Sequence, residues 1–509
     1  MGQSNNKRIA KNTLYLYIRM LINILVSLYT SRLVLQILGV VDLGVYNVVG
    51  GISTAFVFLS SSLSNATQRY LNFEQGTGNT KRLEQIFCFS LLIYFVYAVI
   101  SGIGAEVGGL WLIEHKLVIP PERVFAAKAV LFFTSLSLLV TIVSSVYDSV
   151  LIARENMKVY AYIGLFDVVA KLVVVFLLQF ISWDKLILYA ALHFAVLVIA
   201  KLISIIYCSR KYEECKIRYY WEKPLFKEMF GFVGWNSIGT IVWILNNQGV
   251  DILLNMFFGP VVNAAKAIAS QARGIITGFG SNFYTAVRPQ IVKSYAAGDL
   301  DYFRTLLFST TKYLFFIIWF ISLPLMLRVD YVLKLWLGDV PEYTNVFIIW
   351  ILIFVLVNFL SDPINTAIQA IGKQRKYILI GSSVYLTVFP LSYLALKLGA
   401  PPITAFQILV VIRFIFVLIV FAILKTFVEI SYRQYIAKVL GPLAFTTIAS
   451  VAVMLPVNSL FSDNFLSLIA VCTICVIVNG AAILFIGLNA NERNTLLRHA
   501  IKIIKKKSR

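Results

Sequence analysis

LQILGVVDLGVYNVVGGI (Leu35–Ile52) and LNMFFGPVVNAAKAIASQARGI (Leu254–Ile275) are the two stretches that decide how this chain is read. Each leaves an apolar helix through a glycine, Gly39 or Gly259, and enters a second helix with a polar face. Aligning the two glycines also aligns the segments downstream of them. YLNFEQGTGNTKRLEQIF (Tyr70–Phe87) falls opposite QIVKSYAAGDLDYFRTLLF (Gln290–Phe308), each passing from a span into a glycine turn and then an amphipathic entry to the next span. The chain reads as two copies of one unit.

Composition says what the unit is made of. Of 509 residues, 59% are hydrophobic and only 14% charged, well outside the range of a soluble domain. The apolar stretches are each long enough to cross a bilayer core as a helix. Fourteen spans are predicted, at about 13–38, 43–68, 84–112, 122–151, 158–181, 185–208, 229–258, 261–287, 303–327, 342–368, 375–397, 402–427, 436–457 and 463–488. The alternation of a membrane β-barrel is missing. Repeating a six-span unit preserves its orientation, so the copies are parallel, related by an axis along the membrane normal. The expected fold is therefore an all-α polytopic membrane protein of about 14 transmembrane helices, with two parallel six-helix halves plus two extra C-terminal helices. Residues 1–209 and 229–428 form the halves, 210–228 a cytoplasmic linker, and 429–509 two additional helices with a basic tail.

The net charge of +21 is placed as membrane topology requires. Lys7, Arg8 and Lys11; Lys81 and Arg82; Arg210, Lys211, Lys216 and Arg218; Arg288 and Lys293; Arg433 and Lys438; and the closing KIIKKKSR mark one set of loops. The other set holds little beyond Lys116, Arg123, Lys185, Arg328, Lys334 and Lys397. The positive-inside rule puts the rich set and both termini in the cytoplasm of a cell whose inner membrane holds the chain. This distribution argues against nucleic acid as a partner. No cleavable signal peptide is expected at the N-terminus, and Asn6 departs from the myristoylation pattern. Cys472 and Cys475 form a C-x-x-C inside an apolar span, without a second pair or a histidine nearby, and read as packing residues.

Taken together, the LG…DLGVY turn after span 1, the matching FGPVVN after span 7 and VLKLWLGDVPEY (Val332–Tyr343) before span 10 resemble the Wzx-type polysaccharide exporters. That family sits in the large group that also holds the MATE drug exporters and the lipid II flippase. The resemblance covers essentially the whole chain, through short, degenerate motifs. It implies a bacterial inner-membrane flippase that moves an undecaprenyl-pyrophosphate-linked oligosaccharide to the periplasmic leaflet by alternating access. The glycan would be an O-antigen, capsule or exopolysaccharide unit.

The candidate site is built from charges inside the membrane. Lys266 lies ~10 Å and Arg273 ~20 Å along the helix that starts at the Gly259-Pro260 turn, on one face with Asn263, Ser270 and Thr277. Intramembrane cations that face a cavity mark an anion route, and arginine grips phosphate oxygens in bidentate fashion. Arg32 and Arg19 in span 1 join them as pyrophosphate ligands, although Arg19 also lies near enough to the cytoplasm to snorkel. Asp251 and Asn247 share the polar stripe of span 7 with Thr240, Trp243 and Asn255. Asp251 reads either as a resting counter-ion for Lys266 or as an H+ or Na+ site that couples transport. Span 2 carries a softer stripe of Asn47, Thr54, Ser61, Asn65 and Gln68. Asp167 and Lys171 are expected to neutralise each other, as are Glu106 and Lys128, and His193 reads as a core histidine.

No catalytic constellation, metal cluster or nucleotide motif is present, so neither enzymatic activity nor a cofactor is expected. Two rivals stay open. A cation-coupled multidrug antiporter of the MATE type would want acids in its cavity. A membrane glycan polymerase or acyltransferase would want longer outer loops than IEHKLVIPPER (Ile113–Arg123) or the one at 328–343. Membrane lipids and the lipid-linked oligosaccharide are the expected partners.

Overall fold

The computed structural model of the chain describes residues 2–77, 79–154, 156–216, 218–371, 374–490 and 492–494. In order along the chain the helices are α1 (Gly2–Ala55), α2 (Phe58–Thr77), α3 (Thr80–His115), α4 (Val124–Ala153), α5 (Met157–Phe180), α6 (Lys185–Lys211), α7 (Lys223–Phe258) and α8 (Pro260–Ala296). They continue as α9 (Leu300–Leu327), α10 (Val329–Leu337), α11 (Thr344–Ala370), α12 (Gln374–Leu386), α13 (Val388–Lys397), α14 (Thr404–Lys425), α15 (Tyr432–Tyr435), α16 (Gly441–Ser459) and α17 (Phe465–Ala482). Strands are absent among the described residues. The fold is an all-α polytopic membrane architecture.

Eleven helices among the described residues are long and apolar enough to cross a membrane. The helix of the expected span 261–287, which carries Lys266 and Arg273, is not among them.

Gly39 and Gly259 share one backbone conformation, φ 78°, ψ 172° and φ 77°, ψ −174°. A Cβ disfavours this region, so glycine is the residue that fits. Gly39 breaks the helical geometry, so Gly2–Ala55 is two helices that meet at a kink there. The next matched pair behaves alike. Asn79 caps α3 by accepting from Arg82 N at 3.0 Å, and Asp299 caps α9 by accepting from Tyr302 N at 3.0 Å. The sequence repeat is thus repeated in the backbone at both pairs.

Three boundaries differ from the sequence reading. The segment at 328–343 is not all loop, because Val329–Leu337 forms α10. The expected span 375–397 is broken at Thr387 into α12 and α13. Span 2 is interrupted at 56–57.

The chain divides into two compact units. Unit 1 comprises Met1–Ile268, Trp336–Glu342 and Phe389–Pro402. In it, α3 and α4 approach closely because Gly102 and Gly109 leave room for Leu139 and Leu131. One apolar cluster there centres on Phe87, Tyr94 and Ile142, and another on Val45, Val130 and Leu178. A polar knot closes one end of the unit. Arg123 Nε donates to Asp42 Oδ1 at 2.7 Å, and its Nη1 donates to Asp184 Oδ2 at 2.6 Å. Asp184 also caps α6 by accepting from the amides of Leu186 and Ile187. Burial alone would raise the Asp184 carboxyl, but Arg123 and these amides win and hold it below its ordinary value. On the link before α7, Arg82 and Tyr220 hydrogen-bond Glu222 and hold its carboxyl down to about 2.

Unit 2 comprises Ala269–Leu335, Tyr343–Val388 and Ile403–Arg509. Its core gathers Phe303, Ile364, Phe421, Leu424 and Val439. Two buried cations tie the last helices to α9. Arg328, 5% exposed, donates to Asp463 Oδ1 at 2.7 Å and to the carbonyl of Phe461 at 2.9 Å. Lys312 donates to Glu492 Oε2 at 2.6 Å. One π-helical turn, Ile436–Leu440, leads into α16, and another, Ile483–Gly487, follows α17.

Candidate functional site

The site grows out of the Gly259 turn. Pro260 sits at the first position of α8, where a missing N–H costs nothing. Asp251 lies eight residues before Gly259 and Lys266 seven after it, so the hairpin brings them to the same depth. Lys266 Nζ stands 2.9 Å from Asp251 Oδ1 and donates to the carbonyl of Asn247 at 2.8 Å. The Lys266 side chain is 9% exposed and that of Asp251 23%. Asn263 Nδ2 donates to the carbonyl of Asp251 at 2.8 Å, and Asn255 Oδ1 accepts from Val118 N at 2.8 Å. The polar stripes of α7 and α8 therefore lock the hairpin and hold one cation on one carboxylate.

Around this hairpin, unit 1 brings the two repeat turns together. A Cβ on Gly44 would overlap the carbonyl oxygen of Pro260. Gln248 Nε2 donates to Thr54 Oγ1 at 3.1 Å, and a Cβ on Gly51 would meet Gln248 Oε1 at 2.6 Å. Trp336 Nε1, from the LWLG stretch, donates to the carbonyl of Leu28 at 2.8 Å.

The remaining predicted residues are less closely placed. Arg32 is half-buried on α1. Arg273 is half-buried on α8, in unit 2. Both engage in interactions. The side chains of Arg19, Thr240, Trp243, Ser61 and Asn65 lie outside the described residues. Asp167 and Lys171 pair at 2.7 Å, as their spacing implied. The expected Glu106–Lys128 pair is corrected: Lys128 bonds Glu114, two turns further along α3, at 2.5 Å. His193 packs on the Tyr189 ring at 4.2 Å, with Tyr46 beyond.

Several intramembrane charges escaped the sequence reading. Lys201 and Asp148 pair at 2.7 Å between α6 and α4. Arg413 donates to Ser361 Oγ at 2.6 Å between α14 and α11. Each was visible as a charge inside an apolar run, but its partner lies on a distant span. Among the described residues no cluster of three or more His, Cys, Asp or Glu is arranged to hold a metal.

Comparison with known proteins gives this geometry a setting. Residues 242–394, which include Asp251, Lys266 and Arg273, match the MatE family model. No curated protein sequence matches the chain. Among solved structures, the lipid II flippase MurJ in an inward closed conformation is similar at TM-score 0.72 and 15% identity, over 92% of this chain and 98% of that one. A multidrug resistance MATE family transporter of the MOP superfamily, inward-facing, gives 0.67 and 14%, over 82% and 97%. A MOP superfamily transporter from Pyrococcus furiosus, described as having a binding pocket of reverse polarity, gives 0.61 and 14%, over 82% and 95%. The chain thus has the fold shared by the MATE transporters and the MurJ flippase, with a MatE segment at 242–394.

Proposed function

We propose that the chain is a flippase that carries an undecaprenyl-pyrophosphate-linked oligosaccharide from the cytoplasmic to the periplasmic leaflet by alternating access. The observation that carries this reading is the Lys266–Asp251 pair, a nearly buried ammonium held ready at depth in a membrane helix. A lone cation there is costly, so the protein keeps it on a carboxylate until an anion arrives. A pyrophosphate brings more negative charge than one aspartate and takes Lys266 over. Arg273 and Arg32 supply further cationic contacts. Asp251, released, is neutralised by H+ or Na+, and this exchange couples substrate to ion. The fold shared with a lipid flippase supports the reading, as does the larger share of the chain that this match covers.

A second reading, a cation-coupled multidrug antiporter, is favoured by the MatE match, which spans Asp251. Reconstitution separates the two. Proteoliposomes should flip a fluorescent undecaprenyl-pyrophosphate oligosaccharide, scored by loss of access to an outside quencher. Arg273→Lys should flip about tenfold more slowly than wild type, because an ammonium cannot make the two-pronged contact. Ion-driven efflux of an organic cation, with no movement of the lipid, would decide for the antiporter.

We further place the chain in a bacterial inner membrane with both termini cytoplasmic. Cysteines introduced at Tyr219 and at Asp339 test this with a reagent that cannot cross membranes. In intact cells Asp339→Cys should label and Tyr219→Cys should not. The reverse pattern inverts the topology.

A further inference from the structure

Unit 2 contains a cleft of about 680 Å³ that the transport reading does not use. It is lined by the start of α9, by both π-helical turns and by the segment after α17. Such turns recur at functional positions because they displace helix backbone and reaim side chains. Lys312 lines the cleft too, but its charge is spent on Glu492, whose oxygens also accept from Ser309 Oγ and the amide of Asn489.

Two other cations remain for a ligand. Among the described residues Arg304 pairs with Asp301 at 3.4 Å and Glu429 at 3.7 Å, and these carboxylates are 96% and 97% exposed. Pairs so exposed contribute little. Arg304 Nε is buried and makes no hydrogen bond among the described residues. Lys438, on the first π turn, forms no ion pair among the described residues. Gln434 lines the same cleft. The cleft therefore offers a guanidinium, an ammonium and a neutral amide, which is the donor set a phosphate diester needs.

The surroundings of the cleft select the kind of phosphate. It lies at the cation-rich ends of α9 and α16, where a bilayer places its headgroups. Its rim continues into apolar side chains turned outward: Ile436 at 54% exposure, Ile486 at 43% and Phe485 at 72%. A soluble anion has no use for that surface, whereas acyl chains do.

We propose that this cleft binds the headgroup of an anionic phospholipid, with Arg304 and Lys438 on the phosphate and the acyl chains over Ile436, Phe485 and Ile486. The test uses the purified full chain, stripped of lipid in detergent and titrated with phosphatidylglycerol under native mass spectrometry. Arg304→Ala/Lys438→Ala should bind about 30-fold more weakly, about fivefold for each cation near a charged headgroup. Arg304→Lys/Lys438→Arg should bind like wild type. Lys438→Gln alone, at an exposed position, should lose about fivefold with an unchanged melting temperature. Excess inorganic phosphate should leave the bound lipid in place. Equal binding by the double alanine variant would overturn the proposal, and so would displacement by inorganic phosphate, which would mark a site for soluble anions. Because binding alone is read, the outcome does not depend on whether the chain is a flippase.

Discussion

Asp251→Asn is expected to remove most of the folded protein, and adding Lys266→Ala to the same chain is expected to bring it back. Asp251→Asn leaves a 9%-exposed ammonium without its carboxylate, and a buried charge stripped of its partner costs about 3–5 kcal/mol. Lys266→Ala alone leaves a carboxylate that is 23% exposed, which water reaches more easily, so this single change should be the milder of the two. The double variant buries no charge and should recover abundance and melting temperature. Its flipping of the lipid pyrophosphate should still fall about tenfold or more, because a charged contact worth about 1.5–3 kcal/mol is missing. Abundance by blot and flipping per molecule in proteoliposomes separate the two effects. Strictly additive losses of stability would show that the residues are not coupled. Full flipping by a stable double variant would end the role of Lys266 as an anion ligand.

Gly44→Leu is expected to give no stable protein, and Gly44→Ala a protein weakened by about 1–3 kcal/mol or more. The added Cβ would overlap the Pro260 carbonyl oxygen and meet its carbon at 2.5 Å. Both neighbours are backbone, so neither yields by a rotamer change. The helix after Gly39 and the start of α8 would have to part. Gly108→Ala is the control, since nothing lies within 4 Å of its added carbon. A helix-interior alanine there should be neutral or gain about 0.5–1 kcal/mol. Melting in detergent checks both, and an unchanged melting temperature for Gly44→Ala would show that the close approach is not needed.

Those two experiments bear on the parts of the molecule that were easiest to read in the sequence. Apolar length gives spans, and a glycine turn leading into a polar face gives the Gly39 and Gly259 hairpins. The Lys266–Asp251 pair was legible because both residues are counted from the same turn. Glu106–Lys128 was misread because depth alone does not say which helical turn a flexible lysine reaches, and Glu114 was nearer. Lys201–Asp148, Lys312–Glu492 and Arg413–Ser361 were illegible as pairs, because each joins elements whose adjacency is set by tertiary packing. The helix at Val329–Leu337 hid in a stretch too short for a span, and its Trp336 found a carbonyl on α1 that no spacing announces.

Biogenesis inherits a consequence from the ion pair at the Gly259 turn. A translocation channel that released α7 before α8 would leave Asp251 alone against lipid, and a charge at a helix centre costs about 2.5–3.5 kcal/mol on insertion. The same holds for Lys266 if α8 left alone. Released together, the two helices carry an acid and a base that meet across the turn, with Asn263 already bonded to the Asp251 carbonyl. The hairpin, rather than the single helix, is then the unit that enters the bilayer with Asp251 and Lys266 already neutralised, which leaves Arg273 as the charge it still has to shelter.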